Sequence, residues 1–366
     1  MKVETNLKEL KKLFSNISKK GELQTHLSLT AFKNSFRILI GDGNAMFEAT
    51  IPATVYQEGD VVVWCGDFKS IITRFTGNTV IIEKVIGSEC ARLQFTTENA
   101  QSTISYNLDT ELVFPSKIKD YFKINGNVLK EALKKVIFVA DIKHDRTYGM
   151  YCYFKSKPDN TLELVATDGR RIAVTTTNCE LLENFEFTIP KKDINTLNKL
   201  LSNNEITCSL HEYISDYRGS IKYICFQISN IRLVIRQEEF EYPSYQTVLD
   251  DVKPTYYVTV NRKQFYDAMN GALTIQKNQT DIPKVYLTQD DDNKITIKTP
   301  EQYYFEANIQ AKTIGQPIPL AFNPKYLTEV LNVINSDEIT LEIRGSDKSI
   351  RLQDANLVYV FMPIRL

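Results

Sequence analysis

A chain of 366 residues, 43% hydrophobic and 24% charged, has an ordinary globular composition: room for two to three domains and no long disordered segment. Its net charge of -1 argues, taken as an average, against a protein built to hold a polyanion. The opening MKVETNLKELKKLF lacks the apolar stretch of a signal peptide, and no run approaches the roughly 18 apolar residues of a membrane span; a folded, cytoplasmic chain with no membrane partner is expected.

The first element is an apolar strand that runs into a Lys-bearing helix, VETNLKELKKLF from Val3. The pattern returns as VVVWCGDFKSIITRF from Val61, KINGNVLKEALKKVI from Lys123, EFTIPKKDINTLNKLL from Glu186, YVTVNRKQFYDAMNGAL from Tyr257 and IPLAFNPKYLTEVL from Ile318. Taken in pairs, these segments repeat about every 120 to 135 residues, far above solenoid periods, so they predict three similar domains at 1–118, 119–250 and 251–366. Between the helices, period-two runs such as Phe36 to Ile40, Leu93 to Tyr106, Tyr223 to Arg236, Lys294 to Lys298 and Ser349 to Met362 predict half-buried antiparallel strands. The helices show the complementary period: Leu7, Leu10, Leu13, Phe14 and Ile17 share one face, as do Leu129, Ala132, Leu133 and Val136, and Leu197, Leu200 and Leu201. The fold class expected is α+β, with two substantial helices per domain covering sheets.

The exposed helical faces share a sign. Lys and Arg exceed Asp and Glu by 4 over residues 7–20, by 2 over 128–138 and 191–201, and by 1 over 67–75 and 262–273; they balance over 324–334. The six helices therefore carry +10 and the remainder of the chain -11. Lysine on one exposed helix is ordinarily solubilising. Five of six equivalent helices with one sign suit a polyanion approached from one side, through phosphates and without base reading, since no helix end gathers Arg, Asn and Gln for groove edges.

Chemistry-bearing clusters are absent from the sequence. Cys65, Cys90, Cys152, Cys179, Cys208 and Cys225 are far apart and predict buried reduced thiols, and His26, His144 and His211 are isolated, so neither a metal nor another cofactor is expected. No Gly-rich phosphate loop or Ser/His/Asp set appears, and Asp168 has no His near it in sequence; a non-enzyme is expected.

Two segments stand apart from the repeat. VATDGRRIAV, Val165 to Val174, reads locally as a tight Asp-Gly turn with two exposed arginines. The terminal VYVFMPIRL, Val358 to Leu366, predicts an edge strand, because Pro363 cannot sit inside a central one, with Met362, Ile364 and Leu366 projecting as a partner site.

The threefold repeat, the ATDGRR turn, EYPSYQTVL around Pro243 and the terminal MPIRL, in this order over the whole chain, resemble the bacterial DNA sliding clamps, the β subunits of DNA polymerase III. The resemblance implies three clamp domains, each of two βαβββ halves with helices inward and antiparallel sheets outward, and two chains joined head to tail in a ring around double-stranded DNA. It implies a non-catalytic processivity factor whose partners are DNA held without sequence preference, the polymerase III catalytic subunit, the clamp loader, and other polymerases and repair proteins that bind through short linear peptides. The peptide groove carried over by motif comprises Thr167, Gly169, Arg170, Arg171, Ile172, Pro243, Val248, Val360, Phe361, Met362, Pro363, Ile364 and Arg365, with Arg171 and Arg365 expected at its rim. DNA contact falls to Lys8, Lys12, Lys19, Lys20, Lys69, Arg74, Lys134, Lys135, Lys143, Arg146, Lys191 and Lys199, and the ring joint to Ile104 and Tyr106 against the segment around Leu273. Arg170 stands where the family often has His, Ile364 where Met is common and Thr247 where Arg is frequent, while Gly21 to Thr25 lacks an arginine often found there. A diverged scaffold that uses the same groove without encircling DNA is the alternative reading.

Overall fold

The computed structural model describes the chain except for residues 18–24, 42, 87–90, 107–113, 142–144, 216–218, 251–252, 278, 281 and 292. Two compact units emerge. One comprises Met1–Asn127, Cys179–Asn184 and Asn195–Glu238; the other comprises Val128–Asn178, Phe185–Ile194 and Glu239–Leu366. Each is built on a continuous, fully antiparallel sheet, of 13 strands in the first unit and 12 in the second. Among the described residues the helices are α1 (Leu7–Ile17), α2 (Cys65–Arg74), α3 (Gly126–Lys134), α4 (Lys191–Leu200), α5 (Gln246–Asp250), α6 (Arg262–Gln276) and α7 (Pro324–Leu331). This is an α+β chain in which strands dominate.

The repeated strand-to-helix junction has a local cause. Asn6, Asn125, Asn261 and Asn323 each end a strand or its approach and turn the side-chain oxygen back onto the new helix. They accept from Lys8 N at 2.9 Å, Asn127 N at 2.9 Å, Gln264 N at 3.1 Å and Lys325 N at 3.0 Å. Each satisfies an amide that the first helical turn leaves without a partner, a contribution of about 1 kcal/mol. The apolar faces then bury as their spacing predicts: Leu7, Leu10, Leu13 and Phe14 in α1, Leu129, Ala132 and Leu133 in α3 with Val136 beyond it, and Leu197 and Leu200 in α4 with Leu201 beyond it. The side chain of Ile17 is outside the described residues. Of the cysteines, Cys65, Cys152, Cys208 and Cys225 are buried free thiols and Cys179 is half-buried, whereas Cys90 is outside the described residues.

Successive repeats meet by strand pairing, in the same way in each unit. In the first unit, strand Ala45–Gln57 joins Ile231–Arg236 with Met46 opposite Val234 and Glu48 opposite Arg232. In the second, Arg171–Asn178 joins Leu357–Phe361 with Ile172 opposite Val360 and Val174 opposite Val358. Corresponding positions lie 126 residues apart in both strands, Met46 to Ile172 and Val234 to Val360. Even the preceding turns agree, because Gly43 and Gly169 hold φ of 85° and 81°, where a side chain is disfavoured.

The third instance of this seam lacks one strand. Glu306–Gly315 follows α6 and two strands as Ala45–Gln57 follows α1, and it pairs with Tyr256–Asn261 through 311–315 and with Lys294–Lys298 through 306–310. Among the described residues nothing pairs with the other side of 306–310. Among the described residues Gln101–Ser105, the last strand of the first repeat, likewise pairs only with Ala91–Thr96 and ends its sheet.

The terminal strand corrects the expected edge. Leu357–Phe361 is central, paired with Arg171–Asn178 on one side and Ile350–Asp354 on the other. Pro363 comes two residues after the ladder ends, so its missing donor costs the sheet nothing.

Candidate partner groove and nucleic-acid face

The second unit carries a cavity of about 200 Å³ where its seam meets the segment 243–248. Thr167, Gly169, Arg170, Arg171 and Ile172 form one wall, Val360, Phe361 and Met362 the next, and Pro243 and Val248 a third, all of them positions named by motif. Tyr148, Ser244 and Tyr245 complete the lining: Ser244 and Tyr245 fall within the EYPSYQTVL motif without having been named as site residues, and Tyr148 is brought there by the chain path alone. Pro363, Ile364 and Arg365 are outside the lining. The tail instead turns away and is pinned: Met362 N donates to Arg170 O at 2.9 Å, Ile364 N to Ala321 O at 2.6 Å, and Lys284 Nζ to Arg365 O at 3.1 Å.

The floor is apolar and rigid. Ile172, Val174 and Val360 pack with Tyr153, Val165 and Tyr245, and Tyr242, Leu249 and Val358 close the cluster. Tyr153 stacks on Tyr242 with ring centres 4.7 Å apart. Tyr245 donates its hydroxyl to Glu163 Oε1 at 2.5 Å, which, with burial, raises its ionisation well above the ordinary tyrosine value. Met362 and Val248 remain 42% and 41% exposed at the mouth, leaving adaptable apolar surface for a ligand side chain.

The turn is organised by Asp168 rather than by exposure of two arginines. Asp168 Oδ1 accepts from Arg170 N at 2.9 Å and Arg171 N at 3.0 Å, while Thr167 Oγ1 donates to Arg171 O at 2.8 Å and accepts from Gly169 N at 3.1 Å. Arg170 is exposed, but Arg171 is 7% exposed, which overturns both the two-arginine turn and the rim position expected for Arg171. Its guanidinium donates Nε to Asp168 Oδ2 at 2.9 Å and Nη1 to Glu329 in α7, and lies 4.7 Å from the ring centre of Tyr326. Burial works against its charge, yet Tyr359, Glu329 and Asp168 hold the group above its ordinary value. Arg171 thus ties the groove turn to a helix, with its donors directed at those two carboxylates.

The basic positions separate by environment. Lys8, Lys12, Arg74, Lys134 and Lys199 are exposed and Lys69 is half-exposed. Lys134 sits 4.0 Å from Glu131, Lys135 donates to Asn356 Oδ1 at 2.5 Å, and Lys191 donates to the carbonyl of Ala140. Burial lowers the Lys191 pKa, partly offset by Asp141 and Glu329. Arg146 is exposed but is placed beside the groove: Nη1 donates to Tyr148 OH at 2.7 Å, and both atoms lie over Gly169, where an added Cβ would meet them at 3.5 and 2.9 Å. Lys19, Lys20 and Lys143 are outside the described residues. At the expected ring joint, Ile104 lies on the open edge strand Gln101–Ser105 with Tyr106 just beyond it, and Leu273 is half-buried in α6, two residues past Gly271, whose backbone packs on the Phe305 ring.

Two family models match this chain: the central domain of the DNA polymerase III beta subunit over residues 123–244 and its C-terminal domain over 252–365. Together they span more than half of the sequence, and the chain belongs to the DNA polymerase III beta subunit family, the sliding clamps of DNA replication. The beta sliding clamp of Staphylococcus aureus is 25% identical over 357 residues, covering 93% of this chain and 91% of that protein. Solved structures share the fold over the full length: the DNA polymerase III subunit beta from Pseudomonas aeruginosa has a TM-score of 0.87 at 19% identity, with 100% of both chains covered. The sliding clamp from Bacillus subtilis has a TM-score of 0.86 at 18% identity, covering 100% of this chain and 99% of that one.

Proposed function

We propose that this protein is a non-catalytic processivity factor: two copies close head to tail around duplex DNA and tether a replicative polymerase and other partners through the groove at Gly169, Val248 and Met362. The observation that carries the reading is the pattern of seams. Two repeat-to-repeat junctions are closed by strand pairing within one chain, while the third is represented by two open edges, 306–310 and Gln101–Ser105. An open edge is a liability unless another strand covers it, and joining the first edge of one copy to the second edge of another repeats a geometry the chain already uses twice. The exposed basic residues of α1 to α4 then supply phosphate contacts without base recognition, which leaves the ring free to slide.

The groove suits a short peptide with an apolar anchor, and Arg170 and Arg146 at its margin suit acidic or carbonyl oxygens on that peptide. The catalytic subunit of DNA polymerase III, the clamp loader and repair polymerases are the partners expected to present such peptides. The deciding experiment loads the protein on nicked circular DNA and then linearises it. Retention on the circle in moderate salt and loss from the cut form supports encirclement; equal retention on both forms favours a scaffold that only binds partners.

A further inference from the structure

Beside the first seam the same sheet carries another cavity, and its chemistry differs from that of the groove. It measures about 460 Å³ and lies wholly in the first unit, on the sheet face formed by Ser116–Asn125, Glu205–Ser215, Gly219–Ile228 and Ile231–Arg236. Two irregularities in the pairing of Ser116–Asn125 set a carboxylate between two lysines there. Thr207, Ser209 and His211 are spaced by two and face one side, and their partners are Lys123, Asp120 and Lys117, spaced by three because the register shifts between Cys208 and Ser209 and between Leu210 and His211. Each bulge inserts one residue and re-aims the side chains after it, so Asp120 joins Lys117 and Lys123 on a face where an unbroken strand would have placed Lys119. The equivalent strand of the second unit, Tyr256–Asn261, pairs with Glu338–Ile343 without a shift.

The cavity's polar groups have defined states. His211 directs Nδ1 at Pro115 O at 3.1 Å and Nε2 at Ser209 Oγ at 3.0 Å, so it donates to the carbonyl and accepts from the hydroxyl; burial lowers its pKa and keeps it neutral. Lys117 Nζ reaches Asp120 Oδ2 at 2.7 Å, which leaves the buried Oδ1 without a partner. Arg232 is held over the Phe114 ring at 4.0 Å and against Glu48, and Lys123 is 3.5 Å from Glu180. The lining therefore presents three cations, one carboxylate with a free acceptor, and the polar side chains of Thr207 and Gln227.

From this arrangement we propose that the cavity beside the first seam is a second ligand site, for a small anion of the hydrogen-phosphate type, free or esterified. Its charged oxygens meet Lys117, Lys123 and Arg232, and its P–OH donates to Asp120 Oδ1. The site is independent of the groove and of ring closure. Calorimetric titration of the full-length protein with inorganic phosphate at neutral pH should show one site per chain. The rim double variant K117Q/K123Q should weaken it about tenfold, because each ammonium offers charge-assisted hydrogen bonds. Sulfate, which carries no proton at that pH, should bind more weakly than phosphate in the wild type, and D120N, which replaces the lone acceptor with an amide, should reverse that order. Ribose 5-phosphate binding more tightly than phosphate assigns the cavity to esters, and equal binding assigns it to the free ion. No saturable phosphate binding, a stoichiometry well above one per chain, or undiminished binding in K117Q/K123Q overturns the proposal. K117Q alone, at an exposed position, tests it should the double variant fail to fold.

Discussion

The two closed seams are the same piece of architecture written with different chemistry. Met46 opposite Val234 and Ile172 opposite Val360 occupy one register position, and Gly43 and Gly169 the same backbone conformation. Two residues along the ladder they diverge: the first seam pairs Glu48 with Arg232, the second Val174 with Val358. Above Gly43 the space is open, whereas Gly169 is roofed by Tyr148 and Arg146. The common backbone makes repeat-to-repeat pairing possible, and the side chains decide what each seam borders: the Glu48–Arg232 pair at the edge of a cation-lined cavity at the first, an apolar slot beside an ordered turn at the second.

Several changes would break or sharpen this contrast. The largest effect is expected from deleting Met362 to Leu366, which removes Met362 from the groove mouth and the bonds to Arg170 and Ala321. Binding of polymerase-type peptides should fall below detection by fluorescence anisotropy while the mass in solution stays that of the parent; surviving affinity would remove the groove from this seam. Next, Arg171→Ala should destabilise the chain by about 3 kcal/mol in urea unfolding, since it strands Asp168 and Glu329 beside a buried hole. A loss under about 1 kcal/mol would mean that the turn is held by Asp168 and the backbone alone.

Converting the first seam toward the second provides a finer test. Arg232→Val alone should cost about 2 to 3 kcal/mol by leaving buried Glu48 uncompensated, while Glu48→Val with Arg232→Val should return stability to within about 1 kcal/mol of the parent. If the double variant is no better than the single, the pair shapes the seam beyond its charge. The smallest effect concerns pH. His211 has its folded pKa below the ordinary 6.5, so the unfolded chain binds the extra proton first as pH falls. Its contribution is complete above about 6.5 and declines as pH drops toward the folded value. Thermal midpoints at pH 8 and pH 5.5 should differ less in His211→Gln than in the parent, and an equal difference would place the acid sensitivity elsewhere.

Much of the fold was legible because it is local. Alternation in the strands and the 3.6-residue spacing of Leu7, Leu10 and Phe14 depend only on neighbours in sequence. The groove was partly legible, since the Asp168–Gly169 turn and the apolar terminus are contiguous signals. Tyr148 was not, because nothing in its own segment marks it and only the path of the chain sets it beside Gly169, and within EYPSYQTVL nothing local separated Ser244 and Tyr245 from their neighbours.

Charge shows the limit most clearly. The sequence by itself determined that the helices are basic and the remainder acidic, that the chain repeats three times, and that a distinct turn and tail interrupt the repeat. Only tertiary structure decided which charges are available. It spent Arg171 on Asp168 and Glu329, turned Lys191 onto a carbonyl, moved Arg146 beside Gly169, and gathered Lys117, Asp120 and Lys123 onto one face. The physical reason is that a charged side chain acts through its partners and its solvation, and both come from segments distant in sequence. A bulge of one residue, silent in any local pattern, is enough to turn Asp120 onto the face of Lys123.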